Sequence, residues 1–153
     1  MSQFWLVKSE PDECGIDDFV AKRNGVIRWD GVRNYQARNF MREMQVGDEV
    51  YLYHSSCADI GIAGTLRVAR TAYPDPLQFD PESTYFDPKA DPEQPRWTSV
   101  DLAFVSKAQS VLSLAKLKQM PALQDSHLVK RARLSVMPLS AAEWAAIAQA
   151  LSH

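Results

Sequence analysis

The chain has 153 residues, 46% of them hydrophobic and 24% charged, with 17 Lys and Arg against 19 Asp and Glu. That balance excludes a disordered polyelectrolyte, and no run approaches the roughly 18 apolar residues of a membrane helix. The apolar start Phe4 to Val7 is followed at once by Lys8, Glu10, Asp12 and Glu13, which does not fit a secretory signal, and Cys14 and Cys57 are too few for a disulfide framework. The expectation is one cytoplasmic domain over 1–153.

In chain order, Phe4 to Val7 reads as a short buried strand. Ile16 to Arg23 reads as a short helix that Asn24 and Gly25 end, and Val26 to Trp29 as an extended segment. From Asn34 the pattern turns helical. Ala37, Phe40, Met41 and Met44 share one side, while Asn34, Arg38 and Arg42 share another. Gly47 and Asp48 turn into a strand over Glu49 to His54. Ile60 to Ala69 follows as a second strand, in which Gly61 and Gly64 mark bulges or close approaches. Residues 74–96 hold Pro74, Pro76, Pro81, Pro88, Pro92 and Pro95, so this acidic stretch reads as a long loop. Asp101 to Leu112 and Arg133 to Met137 are further strands. Ser140 and Glu143 form a capping box for a terminal helix with Trp144, Ile147, Ala148 and Leu151 on its apolar stripe. Strands mixed with short helices predict an α+β fold, a twisted or barrel-like sheet with short peripheral helices.

The formal net charge of −2 is a cancellation. Residues 21–42 carry Lys22, Arg23, Arg28, Arg33, Arg38 and Arg42 against Asp30 alone. Residues 107–133 carry Lys107, Lys116, Lys118, Lys130, Arg131 and Arg133 against Asp125 alone. Each block is +5, and 75–101 between them is −5, with seven acids against Lys89 and Arg96. Two basic blocks are an electrostatic footprint of the kind nucleic acid requires.

Catalytic chemistry finds little support. His54 stands three residues from Cys57, but a metal site needs three or four ligands and no second His or Cys pair has ligand spacing; His127 and His153 stand alone. Phosphate-binding glycine loops and a nucleophile elbow are missing from the sequence, so no metal and no cofactor is expected. By contrast, the eleven residues from Trp29 to Asn39 pack two aromatics, three amides and two arginines around Gly31. Arginine forks suit phosphate and an indole face suits a nucleobase. The alternative is that Trp29 and Tyr35 are core residues and the arginines a solvated helix face. Lys8-Ser9 and Tyr53-His54-Ser55 end strands and are candidates for the rim of the same pocket.

These stretches resemble the EVE domain, a PUA-like family related to YTH and ASCH domains. The matching segments are FWLVKSEP from Phe4, WDGVRNYQARNFM over 29–41, VGDEVYLYHS over 46–55, YFDPK over 85–89, Trp97 with VDL, and RLSVMP over 133–138. The resemblance implies a PUA-like mixed β pseudobarrel with short peripheral helices. It further implies a non-catalytic reader of a modified base, 5-modified cytosine or N6-methyladenine, in DNA or RNA. Its pocket positions fall on Trp29, Gly31, Val32, Asn34, Tyr53, His54 and Ser55, with Lys8 and Ser9 adjacent and Trp97 beneath or beside. Arg33, Arg38 and Asn39 take backbone-contact or bracing positions, with Arg33, Arg38 and Arg42 meeting phosphates. Two other classes stay open: a small hydrolase or nuclease using His54 and Cys57, and a protein-interaction module using the acidic loop.

Overall fold

The computed structural model describes residues 3–152, so His153 lies outside the described residues. Six strands form one mixed sheet. They are β1 (Phe4–Ser9), β2 (Val26–Trp29), β3 (Glu49–His54), β4 (Gly61–Pro74), β5 (Thr98–Ser113) and β6 (Val136–Leu139), in the spatial order β2-β5-β4-β3-β1-β6. The β1–β3 pair is parallel and the other four pairs are antiparallel. Five helices flank the sheet: α1 (Ile16–Ala21), α2 (Tyr35–Glu43), α3 (Leu114–Gln119), α4 (His127–Lys130) and α5 (Ala141–Leu151). This is the expected α+β architecture. Among the described residues no helix is long and apolar enough to cross a membrane.

The sheet bends because β4 and β5, 14 and 16 residues long, lose register four times along their pairing. Each bulge adds twist and turns the strand. Leu6, Val7, Val50, Leu52, Leu66 and Val100 are fully buried at the centre of the core. Helix α1 seats directly on β4 at Gly64, where a β-carbon would stand 2.4 Å from Ile16 Cδ1. Helix α2 buries Ala37 and Met41 and is capped by Asn34, whose Oδ1 accepts from Ala37 N at 2.9 Å. At the other end of the core α5 starts on the Ser140–Glu143 capping box and lays Trp144 on Tyr51, with ring centroids 3.7 Å apart.

Several boundaries differ from the sequence expectation, each for a local reason. The last strand is Val136–Leu139 rather than Arg133–Met137, because residues 131–134 close a turn in which Leu134 N donates to Arg131 O. Pro138 fits inside it since β6 is an edge strand, where a missing N–H costs no ladder bond. Helix α1 stops at Ala21, two residues early, and the short α3 and α4 had no visible apolar period. Pro74 and the residues before it extend β4 instead of opening the loop.

The acidic proline-rich segment is folded onto the body by two buried polar side chains. Gln78, fully buried in a 3-10 turn over Pro76–Phe79, donates through Nε2 to Asp75 O and Trp97 O, and its Oε1 accepts from Arg96 N and Trp97 N. Asp75, also fully buried, accepts from Leu77 N, from Gly31 N and from Arg33 Nη1. The loop is thereby tied to the β2–α2 link.

Candidate functional site

A cleft of about 970 Å³ opens where the ends of three strands meet. The β1 end contributes Lys8 and Ser9, with Glu10, Glu13 and Cys14 just beyond. The β2 end and the link into α2 contribute the unbroken run Trp29 to Asn34. The β3 end contributes Tyr53, Ser55 and Ser56, and the acidic loop adds Tyr85. Parallel pairing explains the convergence: Lys8 is in register with Tyr53 and Ser9 with His54, so both chains leave the sheet on the same side. Segments 45 residues apart in sequence thus share one rim.

The floor is apolar and the rim polar. Trp29 is 5% exposed and packs on Phe19, so its indole is a core residue with one edge on the cleft. Trp29 is thus a core residue that also lines the cleft. Val32 and Tyr53 are buried beside it, and Tyr85 is the most accessible of the three cleft aromatics. The Lys8 ammonium lies 5.1 Å from the Tyr53 ring centroid and donates to Ala132 O at 3.0 Å; burial lowers its pKa. Asn34 is exposed at the cleft. Its oxygen is engaged in the α2 cap, which leaves the amide N–H2 group as the donor for a ligand.

Eight of the nine expected pocket residues line this cleft, and His54 does not. Its side chain points back to α1, where Nε2 accepts from Ile16 N at 3.1 Å, and burial holds its pKa down, so the ring works as a neutral acceptor. The three arginines expected on phosphates are each engaged internally. Arg33 pairs with Asp75 at 2.9 Å and donates twice to Tyr85 O. Arg38 donates to Arg96 O and to Asn39 Oδ1, and Arg42 to Thr98 Oγ1 and Arg96 O. Of the roles implied for Arg33 and Arg38, bracing is the one this geometry displays. Trp97 stands beside the pocket, stacked on Tyr35 at 4.9 Å with its indole N–H on Asp87.

Cleft residues that had not been expected to bind base or phosphate include Glu13, Tyr85, Arg133 and Ser135. Tyr85 had one sequence signal, Gly31, because a glycine inside an aromatic-amide cluster marks a close approach. The approach is real: Gly31 has φ 75°, and a β-carbon there would stand 2.9 Å from Tyr85 Cζ. Tyr85 OH donates to Glu13 Oε1 at 2.6 Å, which pushes its pKa up to about 12. Ser56 takes a left-handed φ of 53° in the turn after β3, a position no sequence pattern marked.

The mixed bent sheet with short flanking helices is the fold shared by EVE and YTH (PUA-like) domains. A YTH domain of Zygosaccharomyces rouxii, solved with N6-methyladenosine RNA, shares the fold at TM-score 0.53 with 16% identity, over 99% of this chain and 88% of that one. The EVE domain model matches residues 3–150, and the chain belongs to that family. Thymocyte nuclear protein 1 from Danio rerio is 43% identical over 92% of this chain and 68% of its own length; the human protein is 39% identical over 94% and 72%. Human thymocyte nuclear protein 1, solved in complex with DNA containing 5-methylcytosine, superposes at TM-score 0.95 with 36% identity, over 99% of each chain. A Pseudomonas syringae protein is 52% identical at TM-score 0.92, over 97% of this chain and 99% of that one.

Proposed function

We propose that this protein is a non-catalytic nucleic-acid reader that holds a modified base, 5-modified cytosine first among candidates, in the cleft between Trp29 and Tyr53. The observation that carries the reading is the meeting of Lys8, Ser9, the Trp29–Asn34 run, Tyr53 and Ser55 in one cleft, in a chain whose human relative was solved with 5-methylcytosine DNA. The apolar floor of Trp29, Val32 and Tyr53 favours an added methyl group, a preference on the order of 1–3 kcal/mol for one methylene-sized substituent. The Asn34 amide and the Ser55 hydroxyl supply directional contacts to the base edge. A base reaches such a cleft only from a single strand or after leaving the duplex stack.

The groups that catalysis would need are poorly prepared for it. His54 has its Nε2 engaged by Ile16 N. Cys14 lines the cleft, but burial first, then Asp18, Asp30 and Glu13, raise its thiol to about 11, which keeps it protonated at neutral pH. The reading is tested by titrating isotope-labelled protein with a short oligonucleotide carrying one 5-methylcytosine and following amide shifts. Perturbations centred on Gly31, Val32, Asn34 and Ser55 support it. Shifts confined to the acidic loop, with the cleft unmoved, would contradict it and favour a protein-interaction module.

A further inference from the structure

The cleft rim carries charges of both signs. Asp30 is paired with Arg28 at 2.8 Å and Glu13 accepts from Tyr85 OH, so both acids are engaged. The link from α4 to β6 brings Ala132, Arg133 and Ser135 to the rim. Lys130, Arg131 and Arg133 are all exposed on or beside this link, three positive charges within four residues. Their engagements are weak. Arg133 has no ion pair or side-chain hydrogen bond among the described residues, Arg131 donates to the neutral Gln36 at 2.8 Å, and Lys130 meets an Asp125 that is 95% exposed. The link itself is held: Leu134 is 4% exposed, Lys8 N donates to Ser135 O, and Lys8 Nζ to Ala132 O.

The cations of α2 and of the link before it are in the opposite condition. Arg33 is paired with a fully buried carboxylate, and Arg38 and Arg42 serve carbonyl and hydroxyl oxygens of the acidic loop and β5. Recruiting them to a phosphate would break those contacts and leave Asp75 buried without its counter-charge, a loss on the scale of a buried ion pair.

We infer that the strand entering the cleft runs its phosphodiester backbone along the Lys130–Arg133 link, whose cations are exposed and weakly engaged while those beside Asp75 and on α2 are held by the protein. The inference rests on the reader function proposed above and adds the path of the backbone. Cations that are exposed and free of strong partners release counter-ions when they meet phosphates, so their number appears in the salt dependence of binding, with a log-log slope of about −0.7 per contact on a single strand.

The test is the salt dependence of affinity for single-stranded oligonucleotides carrying 5-methylcytosine or cytosine. Replacing Lys130, Arg131 and Arg133 by Gln is expected to flatten the slope by about two units, three contacts at that per-contact value, while the affinity ratio between the two bases persists. Arg131→Lys with Arg133→Lys is expected to keep the wild-type slope, because the contact needs charge and not the guanidinium fork. A charge-matched control, Lys22, Arg23 and Lys89 to Gln, is expected to leave the slope in place. An unchanged slope in the first variant, or an equal loss in the control, overturns the backbone path and leaves the reader function standing. Failure of the wild-type protein to bind either oligonucleotide overturns both.

Discussion

Gly31 and Tyr85 stand in contact across the mouth of the cleft: Gly31 holds φ 75°, and the Tyr85 ring occupies the space a β-carbon would need, 2.9 Å from Cζ and 3.0 Å from Cε2. The same tyrosine reaches Glu13 beyond β1, so one side chain of the acidic loop bridges two of the segments that frame the pocket. Gly31→Ala therefore carries two costs, a left-handed backbone worth about 1–2 kcal/mol and a clash with the phenol. Thermal unfolding is expected to show a loss of about 2–3 kcal/mol, of which Tyr85→Ala in the same chain recovers only the steric part. Full recovery in the double variant would show that the backbone conformation is not strained.

Asp75 is the pin beneath that contact. It accepts from Gly31 N and Arg33 through one oxygen and from Leu77 N through the other. Asp75→Ala leaves Arg33 and two N–H groups unpaired, a loss of about 3–5 kcal/mol. Asp75→Asn is not harmless either, since its N–H2 group must face a donor on one side, and about 2 kcal/mol is expected. Chemical denaturation measures both, and hydrogen exchange should rise at Leu77 and Gly31.

Asn34 separates folding from binding. Asn34→Asp keeps an N-cap oxygen for Ala37 N, so stability should stay within about 0.5 kcal/mol of wild type. It removes the amide donor and adds a negative charge at the cleft, and base affinity is expected to fall about tenfold or more. A variant that binds as well as wild type would remove Asn34 from the recognition edge.

His54 gives the fold a pH dependence of known sign. Its folded pKa lies below the ordinary value because of burial, and Nε2 accepts from Ile16 N, which an imidazolium does not do. The unfolded chain therefore binds more protons in the window between the folded and unfolded pKa values. The contribution is present in full above the ordinary histidine pKa and is lost as pH falls through the lowered one. Melting temperature is expected to drop as pH goes from 7 to 5, and His54→Gln should flatten that drop. An equal drop in both proteins would assign the effect to other groups.

Much of this architecture was legible from residue spacing. The β1, β2 and β3 strands, the Asn34-capped helix and the Ser140–Glu143 box all read directly from period and cap. What spacing did not carry was contact made at long range. Arg38 and Arg42 read with Asn34 as one helix face, and Arg33, Arg38 and Arg42 as phosphate contacts, yet the partners of these arginines lie at Asp75, Tyr85, Arg96 and Thr98, 42 to 58 residues away. Tyr53-His54-Ser55 read as one rim, but alternation along a strand sends neighbours to opposite faces, and His54 went to α1. The Pro-rich loop read as open chain, because nothing local shows that Gln78 bonds residues 18 and 19 positions downstream.

The proposed reader function requires the cleft to distinguish a modified base from its parent. Fluorescence anisotropy with matched oligonucleotides carrying cytosine, 5-methylcytosine, 5-hydroxymethylcytosine, adenine or N6-methyladenine, at one fixed salt concentration, measures it directly. Tighter binding of one modified base than of its parent, by about 5-fold to 150-fold, is expected, a preference that Asn34→Asp reduces. Equal affinity for all five, unaffected by that substitution, would contradict it.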